Sequence, residues 1–360
     1  MCERGGDTHP SNIMKNLLLT GAASLLAVAP ALAQEDQDDP IDKRLPKYEK
    51  VEGLELSGDL NAVGSDTMIN LMTLMGEKFK THYPDVRIQV EGKGSGTAPP
   101  ALIEGTAQFG PMSRPMKKKE LDSFVKEFGY EPVAINACLD ALAVFVHKDN
   151  PLAEKGMSME QVDGVFSKTR KRGGTDVKRW GDLGLTGAWA NAPISVYGRN
   201  SASGTYGFFK DVALAKGDYK DTVKEQPGSA TVVQSITADK YGIGYSGIGY
   251  RTSSVLPVPL SDGDGMFEAN LENVISGDYP LGRFLIVYIN LAPNAEIDPV
   301  RREFFRFMFS RDGQEIILKS GYLPVPAEVA EAELANIGVK FVPAKPDKVG
   351  VVEASSKERQ

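Results

Sequence analysis

Apolar and polar positions alternate along the chain in short blocks that predict strands followed by helices. Residues 60–63 and 86–90 have the pattern of strands, and apolar residues recur at helical spacing between 68 and 79. Continuous apolar runs at 141–146 and 284–289 predict strands that are covered on both faces. The alternation therefore predicts an α/β fold with mixed, mostly parallel central sheets.

Both ends of the chain differ from this pattern. An apolar stretch at 17–28 is followed by Ala31-Leu32-Ala33, which has the small-x-small form of a signal-peptidase site. We therefore expect a signal peptide over 1–33, cleaved after Ala33, with Met1 and Met14 as alternative starts. Residues 34–55 and 344–360 are charged and poor in apolar residues, so flexible segments are expected there.

Charge and composition narrow the functional classes. The formal net charge of −7 disfavours binding to nucleic acid or to an anionic membrane surface. After cleavage only His82 and His147 remain, too few for the usual zinc hydrolase sites, so neither a metal nor a cofactor is expected. Cys138 would be the one remaining cysteine, and we expect it to be a small buried apolar residue.

Four turns share one plan, in which a short strand leads through small polar residues into a helix. They lie at 64–67, 94–97, 110–114 and 199–205, and the triplet Ser-Gly-Thr occurs in the second and the fourth. Each turn alone could be a simple helix cap. Together they predict one oxyanion site, because helix starts present free N–H groups and such turns converge at the carboxyl ends of strands.

These motifs resemble those of the periplasmic phosphate-binding proteins that serve ATP-driven phosphate importers, a family with the type II solute-binding fold. The resemblance covers roughly 56–339, and its most specific part is Arg199 followed, after three residues, by Ser203-Gly204-Thr205. It implies two lobes joined by two crossing strands, with phosphate in the cleft between them. We expect the first lobe at 56–144 and 264–343 and the second at 145–263, with crossovers at 141–146 and 255–260.

The resemblance also assigns site residues. Arg199 corresponds to the family's phosphate-binding arginine, and Ser203, Gly204 and Thr205 correspond to its hydroxyl and backbone donors. Ser95 corresponds to the serine of the second loop, and Thr67 is expected to bind from the same lobe. The role of Arg114 stays open between a second positive charge and a solvent-facing side chain.

One departure from the family pattern concerns selectivity. Many members have an aspartate at the position of Ser113, where it accepts the hydrogen of protonated phosphate and so rejects sulfate. In this chain the aspartate is Asp66, where the family commonly has threonine. We hypothesise a swap in which Asp66 accepts the proton and Ser113 donates; the alternative is that Asp66 only caps the helix entered at Thr67.

The expected function is capture of inorganic phosphate by a periplasmic monomer that is not an enzyme. Its expected partners are the membrane permease and ATPase subunits of an ABC importer. One alternative is a binder of sulfate, molybdate or a phosphonate, and another is a relative with a secreted phosphatase or adhesion role. The string Gly242-Ile243-Gly244-Tyr245-Ser246-Gly247 matches a dinucleotide motif, but no long helix pattern follows it, so a buried strand and turn is expected.

Overall fold

The computed structural model describes residues 39–344. The expected signal peptide and all but the first residue of the expected tail lie outside these residues. The strands of the described part are β1 (Gly58–Val63), β2 (Val86–Glu91), β3 (Gly110–Met112), β4 (Val133–His147), β5 (Met157–Ser158), β6 (Ser195–Arg199), β7 (Lys224–Gln226), β8 (Gly242–Gly247), β9 (Val255–Pro257), β10 (Leu260–Ser261) and β11 (Gly282–Ile289).

Helices follow most of these strands, as the sequence pattern predicts. They are α1 (Ile69–His82), α2 (Ala98–Ile103), α3 (Lys118–Phe128), α4 (Leu152–Lys155), α5 (Met159–Phe166), α6 (Gly204–Val212), α7 (Ser229–Ala238), α8 (Leu271–Ser276), α9 (Pro299–Met308), α10 (Arg311–Lys319) and α11 (Ala327–Asn336). None of these helices is long and apolar enough to cross a bilayer.

The long strand β4 belongs to two lobes. Its residues 133–141 pair with β11, which in turn pairs with β3, while its residues 142–146 pair with β8. In the first lobe β1 and β2 are parallel, and in the second β6 is parallel to both β7 and β8. Since β4 is antiparallel to β11, β8 and β9, and β3 is antiparallel to β11, the central sheet is mixed. Parallel pairing is found between β1 and β2, between β5 and β10, and among β6, β7 and β8.

Of the two expected crossover segments, 141–146 passes between the lobes and 255–260 stays in the second lobe. Residues 141–146 form the middle of β4, and the strand changes partner between Ala141 and Leu142. Residues 255–260 form β9, antiparallel to the end of β4, and the start of β10, which pairs with β5 of the second lobe. The chain therefore re-enters the first-lobe sheet only at β11, after α8.

The expected flexible leader at 34–55 is wrong for its described part. Ile41 and Leu45 are only 3% and 1% exposed, because they pack into the core of the first lobe. The carboxylate of Asp42 accepts a hydrogen bond of 2.9 Å from the N–H of Ala327 at the start of α11. The composition of the segment does not indicate this packing, because it is dominated by charged residues and only a few isolated apolar residues anchor it.

The aromatic core of the second lobe contacts Arg199 through Tyr245. The rings of Phe209 and Tyr245 stack with centroids 4.0 Å apart, and the hydroxyl of Tyr245 accepts from the N–H of Arg199 at 3.1 Å. The expected buried strand at 242–247 is confirmed as β8, and Cys138 is free and fully buried, as expected.

Candidate functional site

Four helix starts from the two lobes converge on one place. In the first lobe, short 3₁₀ turns at Asp66–Met68 and Ser95–Thr97 lead into α1 and α2. In the second lobe, the starts are those of α6 and α7. The sequence folds this way because small polar residues follow each strand, and their hydroxyls and N–H groups then point toward a common centre.

Hydroxyl groups from the two lobes lie within hydrogen-bond distance at this centre. Thr67 Oγ1 lies 2.9 Å from Thr205 Oγ1, which lies 3.3 Å from Ser113 Oγ. Ser113 Oγ also lies 3.2 Å from Ser95 Oγ, and the N–H of Ser113 donates to that Ser95 oxygen at 3.0 Å. Four of the residues expected from the sequence are therefore brought together, and all four are buried.

Glycine permits the close approach of the lobes. A Cβ on Gly204 would overlap Ser95 Oγ and lie 2.7 Å from Ser113 Oγ. The N–H of Gly96 in the first lobe donates to the carbonyl of Ala202 in the second at 3.2 Å. Glycine at position 204, one of the residues expected from the sequence, therefore lets the lobes meet, because a side chain there would separate them.

Ser203 begins α6 and occupies its N-cap position. Its Oγ accepts from the N–H of Tyr206 at 3.3 Å, and the side chain is 3% exposed. One acceptor position of this hydroxyl is therefore used in capping the helix, and its own hydrogen stays available for donation.

Arg199 is the central cation, with 1% of its side chain exposed. Its Nη1 lies 3.1 Å from Asp66 Oδ2 and donates to Ser229 Oγ at 2.6 Å. Its Nη2 donates to the carbonyl of Pro227 at 3.3 Å, whereas its buried Nε has no partner within the described chain. Burial lowers the pKa of Arg199 from its usual range, and the carboxylate of Asp66 opposes that shift.

Asp66 bridges the lobes instead of capping the helix that follows it. Its Oδ2 accepts from the N–H of Ser229 at the start of α7, at 2.8 Å, as well as facing Arg199. No residue of the described chain donates a hydrogen bond to its Oδ1. The capping alternative is therefore wrong for the helix entered at Thr67, and one carboxylate oxygen keeps its capacity to accept.

Two charged residues that the sequence reasoning missed lie beside the hydroxyl groups. Arg283 on β11 contacts Asp140 on β4 through Nε at 2.9 Å and Nη2 at 2.7 Å. It also donates to the carbonyl of Ser113 at 2.7 Å and to Thr205 Oγ1 at 3.1 Å. The available signal was one charged residue inside each of two otherwise apolar strand patterns, since buried charges are rare unless they are paired.

Ser229 and Ser65 were missed as well. Ser229 lies at the first position of α7 and contacts both Arg199 and Asp66, and Ser65 Oγ donates to Ser113 Oγ at 3.0 Å. A serine after Pro-Gly at 227–228 resembles an ordinary helix start, so only the tertiary structure distinguishes it.

Arg114 does not face solvent, and its positive charge is paired with a carboxylate. Its side chain is 7% exposed and forms two hydrogen bonds of 2.7 Å with the carboxylate of Glu120, and a third with the carbonyl of Pro115 at 2.8 Å. Burial would raise the pKa of Glu120, but the hydrogen bonds from Arg114 and from the N–H of Lys117 lower it below its usual value. Arg114 therefore fixes the start of α3.

The arginines around the site are each matched by a carboxylate. Arg199 faces Asp66, Arg283 faces Asp140, and Arg114 faces Glu120. An anion at the centre would thus meet many oriented donors but little net side-chain charge. Within residues 39–344, no group of three or more His, Cys, Asp or Glu side chains is arranged to hold a metal ion.

The chain is similar in sequence and fold to known proteins. Residues 42–312 match the family model of a PBP superfamily domain. The phosphate-binding protein PstS of Pseudomonas aeruginosa is 52% identical over 320 residues, which cover 88% of this chain and 98% of that protein.

Two solved structures have a similar fold. One is from Clostridium perfringens, is assigned as a phosphate ABC transporter substrate-binding protein and contains bound phosphate. It has a TM-score of 0.63 and 25% identity, covering 74% of this chain and all of that one. Another, assigned as a phosphate-binding protein from Planctomyces limnophilus, has a TM-score of 0.56 and 26% identity, covering 79% of this chain and 98% of that one.

Proposed function

The chain belongs to the PBP superfamily and, within it, to the family of the phosphate-binding proteins PstS, and we propose that it captures inorganic phosphate between its lobes for an ABC importer. The observation that carries the proposal is the convergence of Arg199 with hydroxyl and N–H donors from both lobes. Such a set fits a small tetrahedral oxyanion, whose oxygens can accept several hydrogen bonds at once.

The donors are arranged so that their hydrogens face the ligand. Ser95 Oγ accepts from the N–H of Ser113, which leaves the Ser95 hydrogen for an anion. Ser113 Oγ accepts from Ser65 and lies within reach of Thr205, so its own hydrogen is also available. This arrangement supports the proposed donor role of Ser113. Thr67, Ser203, Gly204 and Thr205 complete the proposed phosphate-binding set.

Selectivity is proposed to depend on Asp66. Phosphate at neutral pH keeps a hydrogen that needs an acceptor, and sulfate has none. Oδ2 of Asp66 is occupied by Arg199 and by the N–H of Ser229, and Oδ1 is the acceptor that would receive the phosphate hydrogen. A sulfate oxygen at the same place would face the carboxylate with no hydrogen between them.

Contact with both lobes couples binding to closure. A ligand shifts an equilibrium between open and closed states only by its difference in affinity for the two. Because the proposed donors are divided between the lobes, phosphate favours the closed state, and the permease and ATPase subunits of the importer would receive that form. We further propose an exported, periplasmic monomer, cleaved after Ala33, that does not bind nucleic acid and has no catalytic activity.

Titration calorimetry on the exported chain tests this function. Phosphate should bind with a Kd of about 1 μM or below, equivalent to about 8 kcal/mol or more, while sulfate, molybdate and a phosphonate should bind far more weakly. Arg199→Met should abolish phosphate binding, because it removes the central cation. The matched control Arg301→Met removes a largely buried arginine that pairs with Asp298 and is not among the arginines around the site; this variant should bind phosphate like the wild type.

Two results would contradict the proposal. Tighter binding of sulfate or molybdate than of phosphate would assign the site to another oxyanion. Turnover of p-nitrophenyl phosphate by the purified chain would instead favour the alternative of a secreted phosphatase.

A further inference from the structure

Arg283 belongs to the first lobe, yet it contacts α6 of the second. Its Nη2 donates to Thr205 Oγ1 at 3.1 Å, and its guanidinium carbon lies 5.1 Å from the centre of the Phe208 ring. Its other donors stay in the first lobe, on Asp140 and on the carbonyl of Ser113. With 3% of its surface exposed, Arg283 therefore links the lobes from beside the hydroxyl groups.

Asp140 fixes the orientation of this guanidinium. Its Oδ2 accepts both Nε and Nη2 of Arg283, and its Oδ1 accepts from the N–H of Ile248 at 3.0 Å. Asp140 is fully buried and lies next to the point where β4 passes from one lobe to the other. Because both carboxylate oxygens are engaged, Arg283 has little freedom to turn away from Thr205.

We propose that Arg283, held by Asp140, is a positioning residue that stabilises the closed lobes and directs the hydroxyl hydrogen of Thr205 toward the ligand. This inference rests on the proposed function. The N–H of Arg283 fills an acceptor position of Thr205 Oγ1, and a hydroxyl has a single hydrogen. That hydrogen is therefore directed away from Arg283; in this structure Thr205 donates it to Ser113 Oγ at 3.3 Å, at the centre where the ligand would accept it instead.

The positive charge of Arg283 does not itself serve the anion. Asp140 balances it at 2.7 Å, and the proposed role involves no direct contact between Arg283 and phosphate. The residue acts through Thr205 and Phe208, which it meets only when the lobes are together. Its loss should therefore change the lifetime of the complex more than the rate of association.

Binding kinetics of the exported chain test this role. Arg283→Met should weaken phosphate binding about 10- to 100-fold, the effect of a hydrogen bond to a charged group, with most of the change in the dissociation rate. Arg283→Lys, which keeps the charge and one donor, should recover part of the affinity. The control Arg172→Met removes an arginine that pairs with Asp262 inside the second lobe, and it should leave the affinity unchanged.

A second variant and a double-variant cycle separate positioning from general loss of structure. Phe208→Leu keeps Arg283 and its ion pair, and it should weaken binding about 2- to 5-fold through loss of the ring beside the guanidinium. Thr205→Val should cost less affinity in the Arg283→Met background than in the wild type, because Thr205 is no longer oriented there. Equal affinity of Arg283→Met and wild type, or fully additive effects with Thr205→Val, would overturn the inference.

Failure of the proposed function can be distinguished from failure of this inference. If the wild type does not bind phosphate, the proposed function is wrong. The contact between the lobes can then be measured alone, by spin labels on cysteines introduced at the exposed positions Lys126 and Glu225. Arg283→Met must then show fewer short distances between the labels than the wild type, and identical distance distributions would contradict the inference.

Discussion

Asp66→Asn is the substitution that tests ion selectivity most directly. The amide oxygen can take the place of Oδ2, keep the hydrogen bond from Ser229 N–H, 2.8 Å long in the native chain, and remain close to Arg199 Nη1, which lies 3.1 Å from Oδ2. The amide nitrogen then takes the place of Oδ1. An acceptor facing the ligand is thereby replaced by a donor, with almost no change in shape.

The expected effect has opposite signs for the two ions. The phosphate hydrogen loses its acceptor, which costs about 1–3 kcal/mol, whereas sulfate gains a hydrogen-bond donor of similar value. The ratio of phosphate to sulfate affinity should therefore fall about 30-fold or more, since the two effects add to about 2 kcal/mol or more and about 1.4 kcal/mol corresponds to a factor of ten. Arsenate, which also keeps a hydrogen, should follow phosphate.

Calorimetry with the three ions measures the ratio. Asp298→Asn is a closely matched control, because Asp298 also pairs with an arginine, Arg301, and accepts a backbone N–H at a helix start, far from this site. It should leave all three affinities unchanged. If Asp66→Asn weakens phosphate and sulfate equally, Asp66 serves only to anchor Arg199, and the reasoning on selectivity is refuted.

Three further predictions concern closure, stability and reactivity. Gly204→Ala should reduce phosphate affinity at least 100-fold by calorimetry, while the melting temperature stays close to that of the wild type. The reason is that the added Cβ would overlap Ser95 Oγ of the opposite lobe only when the lobes close. Unchanged affinity would contradict the close approach of Gly204 to Ser95. Burial raises the pKa of Glu333 despite its hydrogen bond from Asn136. The contribution of Glu333 to the free energy of unfolding should therefore be complete below its pKa in the unfolded chain and disappear as pH rises through its pKa in the folded chain. Urea unfolding at a series of pH values should show this decline in stability, and Glu333→Gln should remove the part that Glu333 causes. Burial also raises the pKa of Cys138, so a thiol reagent should react with the native protein at least 100-fold more slowly than with the urea-unfolded chain, and rapid native labelling would show that the thiol is accessible.

The sequence predicts the parts of the site that depend on local chemistry. Turns of small polar residues after strands identify Thr67, Ser95, Ser113 and the segment at 203–205, because the same residues that start a helix also expose its donors. Arg199 could be found through its spacing from that segment. The structure brings Thr67, Ser95, Ser113 and Thr205 together as expected.

The remaining features depend on contacts between distant segments. The partner of Arg199 is Asp66, which lies in the other lobe, and no local pattern joins them. Arg283 and Asp140 stand opposite each other only because β4 and β11 pair in one particular register. The packing of the leader at 39–55 against the first lobe also depends on distant segments, since the core that buries Ile41 and Leu45 forms only in the tertiary structure.

The pairing of each buried arginine with a carboxylate has a consequence for the surroundings in which the protein works. Because Arg199, Arg283 and Arg114 are already balanced, the hold on the anion comes from short-range oriented donors, and dissolved ions screen such contacts little. Added salt should speed the encounter with phosphate by screening the repulsion between the anion and the overall charge of −7, yet barely change how long the anion stays. A binding protein of this construction would keep the dissociation rate of phosphate nearly constant when the salinity outside the cell changes.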